Sequence, residues 1–311
     1  LIKRLHVLPV LYQTNDEIVA VRQRFSGDLS RLSEGLAVEA LSEDLYQEIY
    51  EHAWALTNFY LAYQMENDRP LQEQYAQLLV RILTPRLGAF MQPLAVEAFR
   101  SNQAFRIGVI SPHLKNHNGS IWTLGWLDQL IGNPDYELFS YNLGEEQDAG
   151  PQQFREISNY RHLPVKPDTA EQVFGRIRED HLDLLIFTDI GMHPASKIAS
   201  VLRLAHVQCQ GWGHPVTSGS TQMDYFIGSD GMEHDDSDSH YSEQLVRLPN
   251  TGLYYQRPAV VHDGQSLFEK FSLDRDRPLL LSMQSTFKYI PANDGLFAEI
   301  AVAHPQACMV F

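Results

Sequence analysis

The sequence of 311 residues predicts an α/β protein in three parts: a helical, repeat-like region over 1–100, a parallel sheet covered by helices over 101–263, and the start of a second such unit over 264–311. Three observations predict it. Before residue 100 the apolar positions recur at the spacing of one buried helical face. From Phe105 onward short apolar runs, unbroken by polar alternation, take turns with helical stretches, the order of a doubly covered parallel sheet. Near Asp263-Gly264 that order resets.

In chain order, the helical face comes first. Tyr46, Ile49, Tyr50, Ala53, Leu56, Tyr60 and Tyr63 fall on one side of a helix with Ser42 as its N-cap. The cluster Asn67-Asp68-Arg69-Pro70 ends that helix and opens the next, which runs over 71–83 and stops before Pro85. This pair matches the tetratricopeptide pattern poorly, since Trp54 is followed by Thr57 and Asn58 where Leu and Gly belong. One such repeat cannot bury its own face, so 1–100 is expected to be the end of a helical array or a cap packed on the sheet-forming part of the chain. Strands are expected over 105–111, 136–143, 182–189, 207–212 and 223–227, and helices over 122–131, 170–180 and 194–204. The second unit contributes a strand over 278–282, a helix over 294–303 and a strand over 307–311. A start at Leu1 and an end inside an apolar strand give the expectation that the chain is a fragment.

Composition narrows the function. Lys and Arg number 24 against 39 Asp and Glu, a formal net charge of −15, which repels phosphate backbones and anionic lipid. Nucleic acid and membrane are therefore not expected partners. No apolar stretch approaches the ~20 residues of a spanning helix, and no secretory signal opens the chain. Cys209 and Cys308 stand in apolar runs and read as free buried thiols of a reduced, cytoplasmic setting.

Three polar loops at expected strand ends could carry chemistry. Ser111-Pro-His-Leu-Lys-Asn-His-Asn-Gly-Ser120 holds two histidines four apart, able to take a proton or bind a sugar hydroxyl; its plain alternative is a pair of surface histidines. Trp212-Gly-His-Pro-Val-Thr-Ser-Gly219 offers glycines that let backbone approach a ligand, with Thr217 and Ser218 as donors; the alternative is a turn. Gln284-Ser-Thr-Phe-Lys288 places a lysine where it can offset a diphosphate, or where it is only solvated. Asp235-Asp-Ser-Asp238 carries the Asp-x-Asp spacing of cation sites, but sits in a solvated acidic run and lacks the Gly and Glu of a calcium loop. Neither a Gly-x-Ser-x-Gly elbow nor a Gly-x-Gly-x-x-Gly turn occurs.

Taken together, Leu202-Arg-Leu-Ala-His-Val-Gln-Cys-Gln-Gly-Trp-Gly-His-Pro-Val-Thr-Ser-Gly219, Met223-Asp-Tyr-Phe-Ile227, Tyr241-Ser-Glu-Gln-Leu245 and Leu248-Pro249 resemble the amino-terminal lobe of the O-linked N-acetylglucosamine transferase family. The bacterial, tetratricopeptide-linked branch is the nearest in pattern. The resemblance covers 105–311 well and 40–100 loosely. It implies a helical region followed by two Rossmann-like lobes of the glycosyltransferase-B architecture, the second truncated here. It further implies inverting, metal-independent transfer of a sugar, N-acetylglucosamine, from a UDP-sugar to Ser or Thr side chains of proteins. No cofactor is implied beyond the UDP-sugar co-substrate, and the acceptor polypeptide would lie along the helical region. By the same resemblance His117 stands at the active-site histidine, with Asn116 beside it. Gly213, His214 and Pro215, preceded by Trp212 and followed by Thr217 and Ser218, line the sugar and acceptor pocket. Lys288 and Gln284 meet the diphosphate. Two positions depart from the family pattern: His113 replaces an acidic residue, and Asn118-Gly119 replaces Pro-Thr. The first departure supports an alternative from another class, a non-catalytic helical binding scaffold carrying a degenerate transferase lobe.

Overall fold

The computed structural model describes residues 2–55, 57–95, 103–115, 117–145, 152–255 and 267–311. Leu56 and Asn116 lie outside the described residues.

The first ninety residues are helical. α1 (Asn15–Gly35) starts at Thr14, whose hydroxyl accepts the Glu17 N–H at 3.2 Å. α2 (Glu43–Ala53) starts at Ser42, whose hydroxyl accepts the Leu45 N–H. The helix expected to run on to Tyr63 ends ten residues earlier, at Ala53, and the chain resumes as a 3-10 turn, Phe59–Gln64. The break has a tertiary cause. Asn58 is buried and donates to Gln72 Oε1 at 3.2 Å, a bond a continuous helix could not reach, and Met65 then takes a left-handed conformation (φ 59°). α3 (Arg69–Leu87) carries Pro70 in its first turn but passes through Pro85, where the sequence predicts a stop. Pro85 lies in the last turn, where the lost N–H costs one ladder bond, while Leu83 and Leu87 are both buried.

The sheet begins at β1 (Phe105–Ser111) and continues through α4 (Asn118–Leu130), β2 (Tyr136–Asn142), α5 (Gln152–Ile157), β3 (Asn159–His162) and α6 (Ala170–Arg178). It is completed by β4 (Leu184–Phe187), α7 (Pro194–Ala199), β5 (Val207–Gln210), β6 (Tyr225–Ser229) and β7 (Gln244–Leu248). The seven strands lie in the order β3-β2-β1-β4-β5-β6-β7, each neighbouring pair parallel. This is a Rossmann-like lobe whose strand order reverses between β1 and β4. Ligands of such sheets bind in the crevice that opens there, beyond the carboxyl ends of the strands.

The last stretch holds α8 (Leu267–Lys270), β8 (Leu279–Leu281), α9 (Asp294–Ala303) and β9 (Cys308–Val310), with β8 and β9 paired in parallel. Cys209 is buried and free, with burial pushing its thiol up to about 12; Cys308 is free but only half-buried, where the sequence predicts a buried thiol.

Helices and sheet share one core. Leu29, Tyr50, Leu78 and Leu83 of the helical region belong to the same buried cluster as Phe174, Phe187, Ile198 and Leu202 of the lobe. Arg178 fastens the seam, donating to the carbonyls of Ala89, Phe90 and Gln92 from one side and to that of Arg203 from the other.

Candidate active site at the strand-order reversal

The loops after β1, β4 and β5 meet above the crevice. After β1, Ser111 turns its hydroxyl onto the Asp189 carboxylate, which is buried to 2 % exposure. Burial pushes the Asp189 carboxyl up to about 6, against the lowering effect of hydrogen bonds from Ser111, Thr188 and Ser196. His117 then ends the loop as the N-cap of α4, with Nδ1 accepting the Gly119 N–H at 3.1 Å. A nitrogen that accepts a backbone N–H carries no proton, so the neutral His117 ring bears its proton on Nε2. Burial holds His117 below the ordinary histidine range, and Lys115 adds to the effect.

His113 stacks on His117 with ring centroids 4.7 Å apart and meets the edge of His193 at 6.0 Å. Burial first, then His117, His193 and Lys115, bring His113 down to about 4. The three rings are therefore a neutral group near pH 7.

The loop after β5 is held from beneath. A Cβ on Gly213 would run into the Thr188 carbonyl, and one on Gly219, which has φ 70°, into the backbone of Gln72. These two glycines are spent on packing loop against protein backbone, where the sequence predicts room for a ligand. His214 is 2 % exposed, stacks on Phe59 at 5.0 Å and donates from Nδ1 to the Ile190 carbonyl at 2.9 Å. Thr217 and Ser218 are buried as well. The Thr217 hydroxyl donates to Glu243 Oε2 at 2.6 Å, and both the hydroxyl and the N–H of Ser218 reach Glu243 Oε1. The Ser218 carbonyl in turn accepts from the buried Lys197 ammonium at 2.7 Å, which also donates to Gln72 Oε1 at 3.0 Å. Burial brings Lys197 down to about 8 although Glu243 opposes the change. Thus His214, Thr217 and Ser218 brace the loop and tie it to α3, while Trp212, Gly213 and Pro215 keep exposed surface. Pro215 and Thr217 border a cavity of about 130 Å³ with Asp68 and Tyr241. Trp212 packs at 5.1 Å on both Trp122 and Trp126 of α4, which joins its loop to the one that carries His117.

Lys288 and Gln284 are exposed in the loop after β8. Gln284 lines a cavity of about 560 Å³ with Thr286, Tyr289, Asp294, Phe297 and Phe311. Phe287 inserts between Phe59, Tyr60 and Tyr63, with centroids 5.6, 5.7 and 4.6 Å away, and so links this loop through Phe59 to His214. Among the described residues no group of three or more His, Cys, Asp or Glu is arranged to hold a metal ion, and no helix is long and apolar enough to cross a membrane.

The sequence model of glycosyl transferase family 41 matches residues 71–268, most of helix α3 and the whole seven-stranded sheet. The chain belongs to this family. Over 237 residues, 73% of its length, it is 22% identical to the probable UDP-N-acetylglucosamine–peptide N-acetylglucosaminyltransferase SEC of Arabidopsis thaliana, of which it covers 24%. Its fold is that of a Thermobaculum terrenum O-GlcNAc transferase mutant, K341M, with a TM-score of 0.63 at 21% identity, over 86% of this chain and 49% of that one. The chain thus spans about a quarter of the curated relative and about half of the solved chain.

Within this family-41 lobe the residue that sequence reasoning passes over is His193. Its signal is present in the chain: Asp189-Ile-Gly-Met-His193 closes an expected strand, and Pro194 marks the first turn of the next helix, which leaves His193 as N-cap.

Proposed function

We propose that the chain is the acceptor-side part of an inverting, metal-independent glycosyltransferase that moves N-acetylglucosamine from UDP-N-acetylglucosamine to Ser or Thr side chains of cytoplasmic proteins. Membership of family 41 supports transfer from a sugar nucleotide, and the name of the Arabidopsis relative supports this donor and a peptide acceptor. The observation that carries the reading is the position of His117 at the carboxyl end of β1, beside the strand-order reversal.

In this reading the two-lobed architecture closes over the crevice, and the helical region presents the acceptor polypeptide. The acceptor oxygen forms its bond to the anomeric carbon as the bond to the diphosphate breaks, and the electron pair leaves on UDP. His117 has its Nδ1 lone pair engaged by the Gly119 N–H. It therefore orients sugar or acceptor by donating from Nε2, and the hydroxyl proton is released to solvent as UDP departs with the electron pair. Lys288 meets the negative charge that grows on the leaving diphosphate, an interaction stronger in the transition state than in the ground state. Trp212, Gly213 and Pro215 border the sugar; Asn116, next to His117 in sequence, joins the pocket by the family resemblance alone. His214, Thr217 and Ser218 hold that loop in place.

The test is product analysis. The full chain, incubated with UDP-N-acetylglucosamine and a Ser/Thr peptide library, releases UDP and adds one N-acetylhexosamine per modified side chain, with inverted linkage. Absence of UDP release with every acceptor would point instead to the binding scaffold.

A further inference from the structure

His193 is the structural twin of His117. Each closes the loop that follows a strand, β4 for one and β1 for the other, and each is the N-cap of the next helix. Their backbones coincide, φ −142° and ψ 144° at His117 against φ −141° and ψ 144° at His193. In both, Nδ1 accepts the N–H two residues on, Gly119 or Ala195, at 3.1 Å. Both neutral rings therefore carry their proton on Nε2. The structure gives neither Nε2 a hydrogen-bond partner among the described residues.

Capping alone does not account for this pair. Asn, Asp, Ser and Thr satisfy a helix N-terminus best, and they do so with a shorter side chain that buries no ring. Here two imidazoles hold the equivalent positions on adjacent parallel strands at the reversal, with His113 packed against both rings. What an imidazole adds to a cap is a second nitrogen on the far side of the ring.

We propose that His193 is a second ligand-facing imidazole of this site, which donates its Nε2–H to an oxygen of the sugar nucleotide held in the crevice. The proposal rests on the glycosyltransferase reading above. The groups that face His193 fit a neutral donor. His113 lies against it, and His117 lies beyond His113. Burial lowers His193, Lys115 lowers it further, and Glu145 partly opposes them.

Asn at position 193 separates the two jobs, because its side-chain oxygen can still cap α7 while the Nε2–H is gone. In the full chain, His193→Asn is expected to melt within about two degrees of wild type and to lose about tenfold or more in kcat, the effect of one hydrogen bond made in the transition state. His193→Ala loses the cap as well and should show both a lower melting temperature and the lower kcat. In the wild type, titration with UDP-N-acetylglucosamine should shift the Nε2 resonance of His193. Wild-type turnover in His193→Asn, with His193→Ala impaired only through its stability, would make His193 a cap and nothing more. If UDP-N-acetylglucosamine does not bind the wild type, the functional reading falls and this proposal with it. If it binds and His193→Asn is unaffected, this proposal alone falls.

Discussion

At the level of single residues the site runs on buried groups whose titration burial displaces. Burial brings His113 and His214 down to about 4 and pushes Asp189 up to about 6. The signs of their contributions to stability differ. Between about 4 and the ordinary histidine value, an unfolded chain binds protons at positions 113 and 214 that the folded chain refuses, so acidification favours unfolding there. Asp189 works the other way: below about 6 the folded chain takes up a proton before the unfolded one does, which favours folding as pH falls. Asp68, which burial also pushes up to about 6, acts in the same sense as Asp189, but His113 and His214, joined by His117 and His193, which burial also lowers, outweigh the two carboxyls. The melting temperature should therefore fall as pH drops from 6.5 to 4, and the fall should be smaller in His113→Asn, measured by calorimetry across that range. An equal fall in both proteins would mean that His113 titrates normally. Residue types alone could show that His113 and His117 share a loop. They could not show that Thr217, Ser218 and His214 face inward, because that follows from Glu243 and Ile190, which are distant in sequence.

Among the helices and strands, most of the sheet was legible and its edges were not. β1 is where the apolar run places it, and α9 spans the residues expected. β3, Asn-Tyr-Arg-His, is a partly exposed edge strand with neither an apolar run nor alternation, so no periodicity announces it. β7, at the opposite edge, alternates too briefly to be separated from the loop before it. The strand expected over 182–189 is four residues long, and Asp189 beyond its end takes the Ser111 hydroxyl instead. In the proposed reading the loop after β8 meets the leaving diphosphate. Lys288→Ala should lower kcat by roughly 10²–10³-fold, the usual effect of losing one such electrostatic donor. UDP affinity should weaken less. Lys288→Arg should recover only part, because a planar fork does not reproduce a point charge. Turnover and UDP affinity within about twofold of wild type in Lys288→Ala would remove this loop from the active site.

Across the molecule, the helical region and the lobe are one packed body. The shared core, the three carbonyls of Ala89, Phe90 and Gln92 held by Arg178 and the buried Lys197 bound to Gln72 all cross the seam. That a single repeat cannot bury its own face points to a cap as one of two outcomes, but periodicity cannot name the residues that share the core, such as Tyr50 and Phe174. Removal of residues 1–92 would expose Phe174 and Leu202 and leave a buried ammonium without one of its acceptors. The shortened protein should lose its cooperative thermal transition, measured by circular dichroism. A sharp transition near that of the full chain would show the lobe to be independent.

In the proposed reading, sugar transfer takes place where β1 and β4 part, with His117 at its centre. The decisive experiment is steady-state UDP release by the full chain, with UDP-N-acetylglucosamine and an acceptor peptide, for wild type and His117→Ala side by side. The expected result is a loss of about 10²-fold or more in the variant, in the range of a lost positioning group, together with the modestly lower melting temperature that loss of the α4 cap brings. Turnover near that of wild type in a folded His117→Ala protein would contradict it.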